Sequence, residues 1–323
     1  MNSLSIWTNL SFSDDVLGYL RKQVSPHTIV LSPAASGSNL VIAGAETACR
    51  TADIAFGQPD PTDVLSSTTL RWIQLSSAGY TRYDTDDLRA RLRARNVPMT
   101  NASSVYDEPC AQHTLSMILA AARRLGDALR DQPVQSWRYA ELREQSRLLN
   151  QQTILLVGYG AIARRLAELL QPLGMTVIGV RRSVRGDENV PTRSIADLPA
   201  LLASADHVVN ILPLNDTTRR LFDATMLGRC KPGAVFYNIG RGDTVDQDAL
   251  VSALQSGQLA QAWLDVTTPE PLPTGHPLWT APNCHITPHT AGGHHDEQRR
   301  LVQHFIDNLT RFLNDHPLLD RIA

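Results

Sequence analysis

The chain alternates short runs of apolar and β-branched residues with longer stretches in which apolar residues recur every three or four positions. In the middle of the chain the runs are Thr153–Val157, Thr176–Val180, His207–Leu212, Ala234–Ile239 and Ala262–Val266. Continuous runs of this length read as strands buried on both faces of a parallel sheet. Between them, Ile162, Leu166, Leu169, Leu170 and Leu173 fall on one face of a helix that Pro172 and Gly174 punctuate. Asp246 is a candidate N-cap for a helix carrying Ala249, Leu250, Val251 and Leu254, with Gly257 just beyond its end. The first hundred residues repeat the pattern more weakly. Strands are expected near Ser5–Thr8, Thr28–Leu31, Asp53–Phe56, Arg71–Leu75 and Val97–Thr100, and helices near Asp14–Lys22 and Asp86–Arg95. Strands alternating with helices imply βαβ crossovers, and the whole reads as two α/β domains with doubly wound sheets.

Composition narrows the function classes. With 323 residues, 42% hydrophobic and 19% charged, the chain can build substantial cores and is not an intrinsically disordered one. Thirty basic against 32 acidic residues give a net charge of −2, so no basic surplus points to nucleic acid or an anionic membrane. Apolar runs such as Met117–Ala122 are far too short to span a bilayer, and the opening MNSLSIWTNL has no basic start or apolar core of a signal peptide. Cys49, Cys110, Cys230 and Cys284 are too scattered for a disulfide framework or a zinc ribbon. The expectation is a cytoplasmic protein with reduced thiols and no metal.

Thr153–Val157 runs directly into Gly158-Tyr159-Gly160-Ala161-Ile162-Ala163, which opens a helix. Glycine at 158 allows a tight turn out of the strand. At 160 it lets backbone N–H groups approach a pyrophosphate at the positive end of the helix. Ala163 stands where the fingerprint has a third small residue, and the strand–loop–helix context makes this a dinucleotide-binding signal. At the end of the next strand, where an acid would bind the ribose 2′-hydroxyl of NAD, the chain has Arg181, Arg182 and Ser183. Such a group attracts a 2′-phosphate, which favours NADP(H), with NAD(H) still possible. The other reading of the pair is a solvated basic turn.

Three later stretches carry candidate chemistry: Asn238-Ile239-Gly240-Arg241-Gly242, then Leu264-Asp265-Val266 with Glu270-Pro271-Leu272, then Thr287-Pro288-His289-Thr290-Ala291-Gly292. An arginine at the carboxyl edge of a sheet can clamp a substrate carboxylate with its planar fork. A glutamate and a histidine on neighbouring loops can pair, the carboxylate fixing the tautomer and favouring the protonated imidazole. That histidine would give a proton to a carbonyl oxygen as hydride reaches the carbon. Taken singly, a histidine beside proline is a structural hydrogen-bonder and Glu-Pro starts a turn.

Taken together, VGYGAIA, LPLNDTTRRLF, KPGAVFYNIGRGDTVDQDAL, WLDVTTPEPL and NCHITPHTAG resemble, in order and spacing, the signatures of the D-isomer-specific 2-hydroxyacid dehydrogenases. Phosphoglycerate dehydrogenases, glyoxylate/hydroxypyruvate reductases and D-lactate dehydrogenases belong to that family. The resemblance implies Arg241 as the substrate-binding arginine, His289 as acid/base, also touching substrate, and Glu270 as its partner. It implies Asp265 at the nicotinamide end, and Ala161, Ile162, Leu212, Pro213, Thr218, Ile239, Gly240 and Gly292 among the cofactor contacts. LSSAGYTRY, residues 75–83, resembles the loop that offers backbone N–H groups around Ala78 and Gly79 to the substrate carboxylate. The implied fold is a Rossmann dinucleotide-binding domain, 104–289, inserted into a flavodoxin-like substrate domain, 1–103 with a returning C-terminal segment, 290–323. The return helix would cover about Gly293–Asn314, the active site would lie in the cleft between the domains, and a homodimer is implied.

The departures are Gln112, where many members have glutamate, and Gln261, where glycine is usual; both bear on packing or substrate choice. His294 and His295 read as a surface helix start, since no further ligand spacing completes a zinc set. The leading expectation is a reductase moving hydride between NADP(H) and a small 2-oxo acid, giving a D-2-hydroxy acid. Formate dehydrogenases carry glutamine where Glu270 stands, and phosphite oxidisers a lysine in the region of Ala78. A dinucleotide-sensing corepressor is the alternative from a different class.

Overall fold

A computed structural model of the chain describes residues 3–36 and 44–323. They divide into two compact units, one of residues 1–106 with 294–323 and one of residues 107–293.

The first unit is built on a five-stranded sheet. Its strands are β1 (Ser5–Leu10), β2 (Thr28–Ser36), β3 (Ile54–Gly57), β4 (Trp72–Leu75) and β5 (Met99–Thr100). They lie in the order β2-β1-β3-β4-β5, and every pair is parallel. The helices Asp14–Val24 and Asp86–Ala94 follow the expected periodicity, the latter capped by Thr85 accepting from the Leu88 N–H. The C-terminal helix Glu297–Leu313 packs on this sheet: Phe305 stacks on Phe56 at 4.3 Å and on Trp72 at 5.2 Å. It starts four residues later than the expected Gly293, because the Glu297 N–H closes a turn on the His294 carbonyl first.

The second unit carries seven strands: β6 (Thr153–Val157), β7 (Thr176–Arg181), β8 (Thr192–Ser194), β9 (His207–Asn210), β10 (Ala234–Asn238), β11 (Leu259–Leu264) and β12 (Cys284–Ile286). Their order is β12-β11-β10-β9-β6-β7-β8, again all parallel. The chain winds outward from β6 through β7 to β8, then returns to β9 and winds the other way. The reversal lies between β6 and β9, and ligands of such sheets bind beyond the carboxyl ends of the strands at that point. Leu155, Val157, Val208 and Phe236 on one face and Ile154, Leu156, Val209 and Tyr237 on the other are all buried, as two covered faces require.

Two strand ends differ from the sequence reading. β9 stops at Asn210 rather than Leu212, because the Leu212 N–H turns back to the Asn210 side-chain oxygen. β11 is Leu259–Leu264 rather than Ala262–Val266; Leu259 already pairs with Ala234, and Asp265 turns its carboxylate into the next loop. Gln261 is buried and donates to the Ala121 carbonyl at 3.1 Å, so this departure packs a strand against a helix end. Gln112 lies on the surface and donates to Glu108.

Candidate active site

Apart from the loop of residues 75–83 in the first unit, the candidate residues follow the carboxyl ends of strands in the second unit: β6, β7, β9, β10, β11 and β12. The glycine loop leaves β6 with Gly158 at φ +102°, a conformation side-chain-bearing residues rarely adopt, and the Gly158 and Tyr159 N–H groups both reach the Val180 carbonyl. At Gly160 no protein atom lies within 4 Å of where a Cβ would stand. The demand for glycine there comes from no protein contact, which suits close approach by a ligand. Gly160 is the N-cap of the helix Ala161–Leu170 and has no side chain to satisfy its first N–H groups. This edge therefore fits a dinucleotide pyrophosphate. Tyr159 contributes backbone only, its ring being buried over Gly179 and its hydroxyl bonded to Asn189.

At the end of β7, Arg182 and Ser183 are exposed. Arg181 is held otherwise: its Nη1 donates to Glu188 Oε1 at 2.9 Å. Leu212 and Ile239 are buried, and Gly240 lies against the Leu212 backbone. Thr218 is buried, and its hydroxyl donates to the Pro213 carbonyl at 2.7 Å, closing the loop after β9.

Behind Arg241 stands a buried amide network that the sequence alone did not reveal. Asn210 Nδ2 donates to Asn238 Oδ1 at 3.0 Å and to Thr244 Oγ1 at 2.6 Å. The Gly240 N–H donates to Asn238 Oδ1, while Asn238 Nδ2 and the Thr244 hydroxyl both donate to the Arg241 carbonyl. The Arg241 carbonyl is thus held by two side chains, and the Arg241 Nη1 donates to the Gly240 carbonyl at 2.6 Å.

His289 and Glu270 come together as their pairing requires. His289 Nδ1 lies 2.7 Å from Glu270 Oε2, and the Thr267 N–H donates to the other oxygen at 3.0 Å. Both side chains are a little over a quarter exposed, so the pair is open to a substrate. Burial acts to raise the Glu270 carboxyl, but the bonds from His289 and the Thr267 N–H, with the nearby Arg241 charge, leave it below the usual carboxylate range. The backbone of His289 is at φ +54°, and its N–H donates to the Asp265 carbonyl at 2.8 Å.

Asp265 is buried and holds the same turn by its side chain. Oδ1 accepts from the Thr287 hydroxyl and the Thr290 N–H, and Oδ2 from the Ala291 N–H, all within 3.0 Å. Its carboxylate is therefore committed first to the loop that carries His289. His113 is a further member, with Nε2 3.1 Å from Thr287 Oγ1 and 3.5 Å from Asp265 Oδ1.

The loop of residues 75–83 belongs to the first unit, after β4. The Ala78 and Gly79 carbonyls accept from Asn101 and Ser77, whereas the N–H groups of these two residues make no hydrogen bond among the described residues. Gly292 falls at the end of the second unit, two residues before His294 and His295 of the first. His295 is exposed and pairs with Asp296, the N-cap of the last helix. Among the described residues no group of three or more His, Cys, Asp or Glu is placed to hold a metal ion, and no helix is long and apolar enough to cross a membrane.

Residues 115–291 match the family model of the D-isomer specific 2-hydroxyacid dehydrogenase NAD binding domain. This chain belongs to the D-isomer-specific 2-hydroxyacid dehydrogenase family. Within it, the chain is 32% identical over 253 residues to the human glyoxylate reductase/hydroxypyruvate reductase, covering 77% of this chain and 76% of that one. It is 40% identical over 199 residues to an uncharacterized protein of Corynebacterium melassecola, a match covering 59% of this chain and 63% of that protein's length. Among solved structures it resembles a D-isomer specific 2-hydroxyacid dehydrogenase from Xanthobacter autotrophicus Py2 in complex with NADPH and MES. The TM-score is 0.82 at 27% identity, covering 100% of this chain and 98% of that one. The second unit thus carries the NAD-binding domain of an NAD(P)-dependent dehydrogenase family.

Proposed function

We propose that the protein is a glyoxylate/hydroxypyruvate-type reductase, moving hydride between NADP(H) and a small 2-oxo acid to give a D-2-hydroxy acid. The observation that carries this reading is the 2.7 Å pair of His289 and Glu270, borne on loops after neighbouring strands of the NAD-binding sheet. The cofactor, when bound, supplies or accepts the hydride. His289 gives its Nε2 proton to the substrate oxygen in reduction and takes it back in oxidation, with Nδ1 tied to Glu270. Glu270 stays ionised and stabilises the imidazolium that this requires. Arg241 binds the substrate carboxylate as a planar fork. By family resemblance the Ala78 and Gly79 N–H groups are assigned to substrate. Asp265 fixes the turn that aims His289 and faces the nicotinamide end.

The preference for NADP(H) rests on the arginines beyond β7, and the human and Xanthobacter relatives support the reaction class and the cofactor respectively. An absorbance assay of purified protein against a panel of 2-oxo acids, with NADPH and NADH in parallel, tests both. Turnover favouring NADPH is expected. His289→Ala should lower it by about 10²–10⁴-fold while cofactor binding persists. Full activity in that variant would sink the mechanism, and tight dinucleotide binding with no turnover on any acid would favour a sensing role.

The protein is further proposed to be a cytoplasmic homodimer. Leu125, Leu129, Val134, Trp137, Tyr139 and Leu148, on one segment of the second unit, are each 49% to 90% exposed. So dense a set of bare apolar side chains suits burial against a second copy.

A further inference from the structure

The short segment after β7 is closed on itself by one side chain. Glu188 Oε1 accepts from Arg181 Nη1 at 2.9 Å and from the Arg185 N–H at 2.8 Å, and Oε2 accepts from the Gly186 N–H at 2.8 Å. The carboxylate is only 3% exposed, so it is shut away from any ribose hydroxyl. Its neighbours fix the loop further. Tyr159 bonds Asn189, and Arg164 Nη1 donates to the Asp187 carbonyl at 3.1 Å. Beside the loop lies a cavity of about 360 Å³ lined by Tyr159, Gly160, Ala161, Arg164, Arg181 and Arg185 among others. Arg165 also borders it but is paired with Glu108 and Glu168. Arg185 has no carboxylate partner among the described residues.

We propose that Glu188 is the positioning residue for cofactor choice: it folds residues 181–188 into a closed loop that sets Arg185, with Arg164, on this cavity to receive the 2′-phosphate of NADP. The proposal rests on the NADP reading above and reassigns its chemistry. Arg181 neutralises Glu188 rather than meeting the phosphate, and a negative charge that would repel a phosphate is spent inside the loop on three donors. Those donors, the Arg185 N–H first, hold the Glu188 carboxyl down to about 2 against the cost of its burial, so the clasp stays ionised at neutral pH.

The test is calorimetric titration of the ligand-free protein with 2′,5′-ADP and with AMP, which differ only by the 2′-phosphate. The wild-type protein should prefer 2′,5′-ADP. Glu188→Ala should lose about tenfold in affinity for 2′,5′-ADP while AMP binding changes by less than about twofold, and Arg185→Ala should do the same. Glu188→Gln, which keeps acceptor oxygen for a loop N–H but not the charge on Arg181, should fall between. Retained preference in Glu188→Ala overturns the positioning role and leaves the NADP reading standing. Equal weakening of both ligands also overturns it, since that marks general damage. No preference in the wild-type protein would remove the NADP reading and this proposal together.

Discussion

Replacing Gly242 by alanine tests whether the loop of Arg241 and the loop of Glu270 act as one assembly. Gly242 follows Arg241 directly and is buried against the backbone of Thr267 and Thr268. Thr267 donates its N–H to Glu270, so the two loops meet at this glycine. A Cβ there would overlap the Thr267 carbonyl and stand 2.7 Å from Thr268 N, where ordinary contact begins at 3.4 Å. Backbone cannot rotate aside as a flexible side chain would, so the loops must separate by about 1 Å. Overpacking of this kind costs about 1–3 kcal/mol, which for a domain of this size lowers Tm by roughly 2–4 °C per kcal/mol. The functional loss should be larger than the stability loss, because about 1 Å of misplacement between catalytic groups costs roughly 10²-fold in rate. Steady-state kinetics and calorimetry on Gly242→Ala give both numbers. A variant with wild-type kcat/KM and unchanged Tm would refute the argument that these loops are held in register by the absence of a side chain.

Glu270→Gln should move the alkaline limb of 2-oxo acid reduction to lower pH. The carboxylate, held below its usual range, is charged across the working range and favours the imidazolium, and an amide does not. The ratio of variant to wild-type kcat should therefore be smaller at about pH 8 than at about pH 6, and parallel profiles would refute it. In the wild-type enzyme the pair's contribution is present above the ordinary glutamate pKa and is lost as pH falls through the lowered value. If the protein is the homodimer proposed above, Trp137→Glu combined with Leu129→Glu should lower its sedimentation coefficient to that of a monomer; an unchanged coefficient would refute a dimer through this face.

The parallel strands were legible because burial on both faces leaves runs that need no partner to be recognised. β6 is Thr153–Val157 as read, and the helix after Gly160 carries the expected face, with Leu166 and Leu170 buried. The candidate chemistry was easiest to single out where its signal is local: glycines flanking Arg241, and His289 in a turn between proline and threonine. What stayed hidden was tertiary. Glu188 looks like any acid in a polar loop, since nothing in its spacing says that it faces Arg181 and two backbone N–H groups. Gln261 reads as an odd polar residue in a strand until the Ala121 carbonyl, 140 positions away, is seen to need its amide. Strand ends shifted for a related reason: Asn210 and Asp265 are polar residues that turn their side chains onto the following loops, and apolar patterning cannot register where such bonds begin.

These polar groups share one logic. Asn210, Asn238 and Asp265 close the ends of three adjacent strands, and each spends its side chain on the loop that leaves the sheet. Burying amides and a carboxylate is costly unless every donor and acceptor finds a partner, and here the partners are loop backbone groups together with the side chains of Thr244 and Thr287 and the Asn210–Asn238 pair itself. The bonds that offset the desolvation are therefore the same bonds that aim Arg241 and His289. That coupling makes the loops stiff extensions of the sheet rather than independent surface segments. Hydrophobic residues of the same size at these positions would leave the loops of Arg241 and His289 without those bonds.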